Sequence, residues 1–124
     1  MKQSIRALFM LVAVGISCSV ARAATPLRNG DLIFQESCRG TMNDAIKGVT
    51  TSISGYQFTH VGIVWIHQKD TFVIEATRPH VAITPLKEFL LPEAEKACPP
   101  VSVLARMKPR FQSLIPQAIE EARR

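Results

Sequence analysis

Two apolar, β-branched segments with a short polar tip between them constrain the fold of this chain more than any other feature. The first segment runs from Val61 to Ile66 and the second from Thr71 to Thr77. Neither has a helical period, and both are rich in residues that favour strands. The tip, residues 67–70, is polar and short, which is typical of a hairpin. The sequence therefore predicts two adjacent antiparallel strands.

The hairpin predicts a register that brings a histidine close to a carboxylate. Pairing of Ile66 with Thr71 sets this register. Glu75 then lies opposite Gly62, on the face that carries His60, because side chains alternate between faces with period two. The carboxylate is one diagonal step from the imidazole, roughly 7–8 Å between backbones, and the glycine leaves the space between them open. Such a carboxylate can fix the tautomer of an imidazole, as the acid of a catalytic triad does.

Two alternatives remain open for this pair. A loop longer or shorter by one residue would turn Glu75 to the other face of the sheet. The other alternative is that His60 is a structural histidine at a strand end and the glutamate faces water. A measured strand register decides whether the two side chains share a face.

The N-terminus, residues 1–23, has the pattern of a secretory signal peptide, with a positive start, an apolar centre and a small-x-small cleavage site. These parts are Lys2 and Arg6, residues 7–14, and Ala21-Arg22-Ala23. The apolar run is too short for a comfortable membrane span. An alternative is lipid modification at Cys18, although no leucine stands three residues before it. We therefore expect an exported protein, periplasmic or extracellular, that associates with a membrane only if Cys18 is lipidated.

Cleavage after Ala23 would leave residues 24–124 as one small domain with a modest core. Three of the 15 basic residues lie in the signal segment, so the domain carries twelve basic residues against 10 acidic ones. This near balance, without a basic run interleaved with aromatics, argues against nucleic acid as a partner. The histidines and cysteines do not have the spacing of a zinc site, and the sequence predicts neither a metal nor a cofactor.

The remaining elements give an α+β fold, a small antiparallel sheet or partial barrel with flanking helices. Further strands are predicted near 32–34, 81–84 and 101–106, and helices near 41–47, 85–91 and 113–124. The last helix has one apolar face and no following element to cover it. We therefore expect that a segment C-terminal to it is absent.

Four short motifs follow one another along the mature chain. They are Gly30-Asp31-Leu32-Ile33-Phe34-Gln35, Thr59-His60-Val61-Gly62-Ile63-Val64, Val73-Ile74-Glu75-Ala76 and Val81-Ala82-Ile83-Thr84-Pro85-Leu86-Lys87-Glu88-Phe89. This ordered set resembles the YiiX-like permuted papain-fold family, relatives of the NlpC-type cell-wall peptidases, from about Leu27 to the C-terminus. The resemblance implies cysteine hydrolase chemistry on amide, ester or thioester bonds. A cell-wall peptide or a lipid acyl group is the implied class of substrate.

The resemblance also implies roles for single residues. His60 matches the general base of the family, Glu75 matches the residue that orients it, and Gly30-Asp31 matches a fold-supporting turn. The nucleophilic cysteine of the family lies on a helix beyond the segment that corresponds to residues 111–124. We therefore expect a domain that lacks this helix, either the first part of a hydrolase or an inactive truncated relative. A non-catalytic exported binding module that uses the same groove is the alternative function.

Cys38 and Cys98 are the cysteines of the mature part, and they could form a disulfide in an oxidising compartment. Cys38 is also a weaker candidate nucleophile, because it precedes a predicted helix at Thr41 and a helix N-terminus favours the thiolate. Ser54 and Tyr56 precede the histidine strand and are candidates to line a substrate cleft. A solvated loop is the alternative for both.

Overall fold

The computed structural model describes residues 25–38 and 40–124. The predicted signal peptide, residues 1–23, and Cys18 lie outside the described residues. The described part is an open antiparallel sheet of five strands with three α-helices and two short 3-10 segments, which confirms the predicted α+β class without closing into a barrel. In chain order the elements are β1 (Leu32–Glu36), α1 (Thr41–Val49), β2 (His60–His67), β3 (Asp70–Ala76), β4 (Val81–Pro85), α2 (Leu86–Leu90), a 3-10 segment (Glu93–Glu95), β5 (Val101–Ala105), a second 3-10 segment (Pro109–Leu114) and α3 (Ile115–Ala122).

The strand order of the sheet is β4-β3-β2-β1-β5, so the predicted hairpin lies near its centre. In that hairpin Ile66 pairs with Thr71 and Gly62 pairs with Glu75, which confirms the predicted register. The turn between the strands places Gln68 at a positive φ of 55°. His60 pairs with Gln35 on the other side of β2, which brings β1 into the same region.

The core lies on the sheet face that carries His60. Ile33, Val64 and Val73 from three neighbouring strands pack there against Phe89 of α2, which is 2 % exposed. The space above Gly62 is already filled, because an added Cβ would collide with Val73 and would meet the Phe89 ring at 3.1 Å. The prediction of an open space above this glycine is therefore wrong. The side chains of Val73 and Phe89 fill the space, and the glycine lets the helix pack closely on the sheet.

The C-terminal helix α3 packs in the region of Trp65, whose side chain is on the face opposite His60. Ile119 of α3 is 7 % exposed, and the guanidinium of Arg123 lies 4.1 Å above the Trp65 ring. Ile115 fills the position that a side chain at Gly30 would occupy, and this glycine also has a positive φ of 79°. The apolar face of the last helix was predicted to be uncovered. This prediction is wrong for Ile119 and Ile115, which pack against the rest of the domain.

An ion pair whose carboxylate is buried fixes the start of β1. Asp31 is 1 % exposed and accepts hydrogen bonds from Nε and Nη2 of Arg106, at 2.8 and 2.7 Å, and from the backbone N–H of Arg28. The hydrogen bonds from Arg106 hold the pKa of Asp31 below its usual value, burial opposes this effect, and the Arg28 amide adds to it. The same contact raises the pKa of Arg106. This arrangement agrees with the structural role expected for the Gly30-Asp31 turn.

Candidate active site

His60 and Glu75 form a hydrogen-bonded pair across β2 and β3. Nε2 of His60 lies 2.6 Å from Oε2 of Glu75, and the side chains are 31 % and 14 % exposed. An ionised carboxylate only accepts hydrogen bonds, so Nε2 carries the proton in this contact. Among the described residues none forms a hydrogen bond with Nδ1, which leaves that atom as the proton acceptor of the neutral ring.

Thr84 of β4 holds the other oxygen of the same carboxylate. Its hydroxyl donates to Oε1 of Glu75 at 2.5 Å. Ala82 pairs with Glu75, so Thr84 lies one diagonal step away on the same face. The carboxylate is therefore held from both sides, by His60 through one oxygen and by Thr84 through the other.

Phe89 contacts the imidazole of His60, and Gln35 holds Phe89 in place. The Phe89 ring packs against the His60 ring with 5.8 Å between centroids. Nε2 of Gln35 donates to the main-chain oxygen of Phe89 at 2.7 Å and to the hydroxyl of Ser102 at 3.2 Å. Gln35 thus ties α2 to the sheet beside the histidine, and α2 in turn fixes the ring against which the histidine rests.

A cavity of about 1080 Å³ includes the His60–Glu75 pair in its wall. Its remaining walls come from the end of β1, from α1, from the loop after β3 and from the segment that follows α2. The lining residues are Gln35, Ser37, Met42, Asn43, Ile46, Thr59, His60, Glu75, Ala76, Thr77, Arg78, Thr84, Glu88, Phe89, Leu91, Pro92, Glu93 and Glu95. Carboxylates outnumber basic side chains on these walls, so the cavity is acidic. A smaller cavity of about 510 Å³ lies beside α3 and contains none of the site residues.

Cys38 and Cys98 are joined by a disulfide, with 6.3 Å between their Cα atoms. The bond links the loop after β1 to the loop before β5. A disulfide sulfur is not a thiolate, so Cys38 can act as a nucleophile only after this bond is reduced. Cys38 was predicted to be either a disulfide partner or a nucleophile, and in the structure it is a disulfide partner.

Ser54 and Tyr56 do not line the cavity that contains His60. Tyr56 stacks on Phe58 at 5.6 Å between centroids, and Phe58 packs against Phe34. Phe34 pairs with Val61, so its side chain is on the face opposite His60. Ser54 lies in an exposed turn with a positive φ of 52°. The structure therefore does not bring these two residues together with the histidine.

Thr84 and Gln35 are residues of the candidate site that the sequence did not predict. Both belong to the motifs that carry the family resemblance, but neither had a role there. Strand alternation would have placed Thr84 on the face of Glu75 once the pairing of β3 with β4 was known. The sequence signal for Gln35 is a polar residue two positions after Ile33, on the face of β1 that is buried.

Metal-binding and membrane-spanning features are absent from the part of the chain that the structure describes. Within residues 25–38 and 40–124, no three His, Cys, Asp or Glu side chains are grouped so that they could hold a metal ion. In the same residues, no helix combines the length and the apolar character that crossing a membrane requires.

An α+β sheet that presents a histidine bonded to a carboxylate beside a large cavity is the type of arrangement that nucleophilic hydrolases use. Among such proteins, the sequence pattern of the permuted papain-like amidase enzymes, the YaeF/YiiX, C92 family, matches residues 26–124. The chain belongs to this family, which confirms the predicted resemblance. A comparison with curated proteins finds no match.

Proposed function

We propose that this protein is an exported cysteine hydrolase domain in which His60 is the general base and Glu75 orients it. The observation that carries the proposal is the 2.6 Å contact between Nε2 of His60 and the Glu75 carboxylate beside the large cavity. The contact leaves Nδ1 free to take a proton from a nucleophile. Membership of an amidase family supports hydrolysis as the type of reaction.

The proposed reaction proceeds through an acyl-enzyme. Nδ1 of His60 takes the proton of a cysteine thiol, and the thiolate attacks the carbonyl carbon of an amide, ester or thioester. The leaving group departs with that proton. His60 then deprotonates a water molecule, which attacks the acyl-enzyme and releases the acid and the thiol. Glu75 stabilises the imidazolium that forms in each step, and a backbone N–H beside the nucleophile would hold the oxyanion.

The nucleophile of this reaction is proposed to come from outside the described residues. Cys38 and Cys98 are bonded to each other, so they offer no free thiol. A helix that carries the catalytic cysteine would have to place its sulfur near Nδ1 of His60. Reduction of the disulfide with use of Cys38 is the less favoured route, because that cysteine is part of a cross-link between two loops.

We also propose that the domain acts outside the cytoplasm, in the periplasm or the extracellular space. The signal-like pattern of residues 1–23 supports export, and a disulfide between Cys38 and Cys98 suits an oxidising compartment. A cell-wall peptide or a lipid acyl group would then be within reach as substrate. Attachment to a membrane would follow only if Cys18 carries a lipid.

The test is hydrolysis of aminoacyl coumarin amides and p-nitrophenyl acyl esters by the protein produced in its source organism. We expect His60→Ala to lower kcat/KM by about 10³-fold, because general-base catalysis contributes that order of rate. His80→Ala is the matched control, since His80 is exposed in a loop. Equal activity of the His60→Ala protein and the wild type would refute the proposal.

A non-catalytic binding module, or an inactive relative of the family, is the second candidate. The disulfide favours it, because the described residues then hold no reactive thiol. The two candidates differ in their response to iodoacetamide. The alkylating agent abolishes the activity of a cysteine hydrolase, whereas a binding module keeps its ligand when its thiols are blocked.

A further inference from the structure

Gln35 is buried in the wall of the cavity, and the orientation of its side-chain amide is fixed. The residue is 4 % exposed and pairs with His60 across β1 and β2. Its side-chain nitrogen lies 2.7 Å from the main-chain oxygen of Phe89 and 3.2 Å from the hydroxyl of Ser102. A main-chain carbonyl can only accept a hydrogen bond, so the nitrogen must face Phe89.

This orientation makes Gln35 an acceptor toward the cavity. Both hydrogens of Nε2 are used by Phe89 and Ser102, so they are not available to an oxyanion. The carbonyl atom Oε1 accepts no hydrogen bond from any residue in 25–38 or 40–124. Oε1 is not a fully buried atom, so it is accessible from the cavity beside the proposed base, and a donor that arrives with a ligand can reach it.

Glu95 adds a second acceptor to the same cavity. Its Oε2 atom is buried and has no hydrogen-bond partner among the described residues. Glu95 ends the 3-10 segment Glu93–Glu95, on the wall that also carries Glu88. A buried carboxylate oxygen without a partner is costly, and a cationic donor compensates for that cost best.

We infer that Gln35 and Glu95 form an acceptor subsite that determines specificity. Oε1 of Gln35 accepts a hydrogen bond from an uncharged amide N–H of the substrate, and the Glu95 carboxylate binds a protonated amine. The favoured substrate is a peptide with a free amino group near the bond that is hydrolysed. This inference rests on the proposed function for the reaction, but it concerns binding and can be measured without turnover.

The experiment is a calorimetric titration of the full chain with trialanine N-methylamide and with its N-acetylated form. The free-amine peptide should bind about tenfold more tightly, the factor expected for one charge-assisted hydrogen bond. Glu95→Gln should remove this preference. Gln35→Met should lower the affinity for both peptides about tenfold. Glu121→Gln and Gln117→Met, both at exposed positions of α3, are the matched controls and should bind as the wild type does.

Three outcomes would overturn the inference: equal affinity of the wild type for both peptides, an unchanged preference in Glu95→Gln, or no saturable binding of either peptide at millimolar concentration. If Gln35→Met does not fold, a depsipeptide with an ester oxygen in place of one N–H tests the same contact in the wild type. His60→Ala should retain the binding pattern. If the peptides bind as expected but no hydrolysis depends on His60, the proposed function is refuted and the inferred subsite is still supported.

Discussion

Two carboxylates on this small domain have opposite surroundings. Asp31 is 1 % exposed, and three N–H groups bind it, two of them from Arg106. The side chain of Glu75 is 14 % exposed, lies in the wall of a cavity, and is bound by a histidine and a hydroxyl. An arginine keeps its charge at every ordinary pH, whereas an imidazole can exchange a proton with a reacting group.

The same chemical group therefore has two different roles, which its hydrogen-bond partners determine. The partners of Asp31 fix its charge and tie the start of β1 to the residue after β5. Glu75, held by Thr84, orients the ring of His60, and no residue in 25–38 or 40–124 forms a hydrogen bond with the Nδ1 atom of that ring. We therefore expect changes at Asp31 to act mainly on stability and changes at Glu75 mainly on activity.

The largest effect is expected at Asp31. Replacement by alanine should lower the free energy of unfolding by about 3 kcal/mol, because it removes the acceptor of three hydrogen bonds, each worth about 1 kcal/mol. Urea denaturation measures the loss. Asp70→Ala, at the exposed hairpin tip, is the matched control and should change stability by about 0.5 kcal/mol or less. A loss at Asp31 no greater than at Asp70 would mean that the ion pair is not a structural anchor.

The second effect concerns activity. Glu75→Gln should lower kcat/KM by about 10²-fold, because an amide neither fixes the tautomer of His60 nor stabilises the imidazolium as a carboxylate does. The unfolding midpoint should change little, since glutamine retains the shape of the side chain. A loss of stability without a loss of activity would reverse the roles assigned to the two carboxylates.

The third effect is a loss of stability in acid. The pKa of folded Asp31 is lowered, mainly by its hydrogen bonds with Arg106, so the folded state binds fewer protons than the unfolded state below about pH 4. The stabilisation is complete above that pH and is lost as the pH falls through the lower folded-state value. Urea denaturation of wild type and Asp31→Ala at pH 7 and in steps below pH 4 should show their difference shrinking. A difference that is independent of pH would contradict this account of Asp31.

The smallest effect is expected at Thr84. Thr84→Val keeps the shape of the side chain but removes the hydroxyl that donates to Glu75, so kcat/KM should fall about fivefold, as for the loss of one hydrogen bond. Steady-state kinetics on the same amide substrates measure this change. Wild-type kcat/KM in this variant would show that His60 alone suffices to hold the carboxylate.

The hairpin and its pair could be predicted from sequence because short-range rules determine them. A polar tip of fixed length sets the pairing of Ile66 with Thr71, and strand alternation then places Glu75 on the face of His60. The ordered motifs that resemble the YiiX-like family gave the same two residues.

The rest of the site depends on contacts that are distant in sequence. Gln35 reaches His60 through the pairing of β1 with β2, which are separated by α1 and a long loop, and no local period sets that register. Ser54 and Tyr56 are in this loop, and their nearness to His60 in sequence did not indicate the side of the sheet on which Tyr56 packs. The filled space above Gly62 depends on Phe89, which α2 supplies from further along the chain.

The most direct measurement is the tautomer of His60 by ¹⁵N NMR of the imidazole in the full chain. In the neutral ring, we expect a proton on Nε2, hydrogen-bonded to Glu75, and no proton on Nδ1. The same spectrum of Glu75→Ala should show loss of this fixed state. A proton on Nδ1 in the wild type, or an unchanged spectrum in Glu75→Ala, would show that Glu75 does not prepare His60 to act as a base.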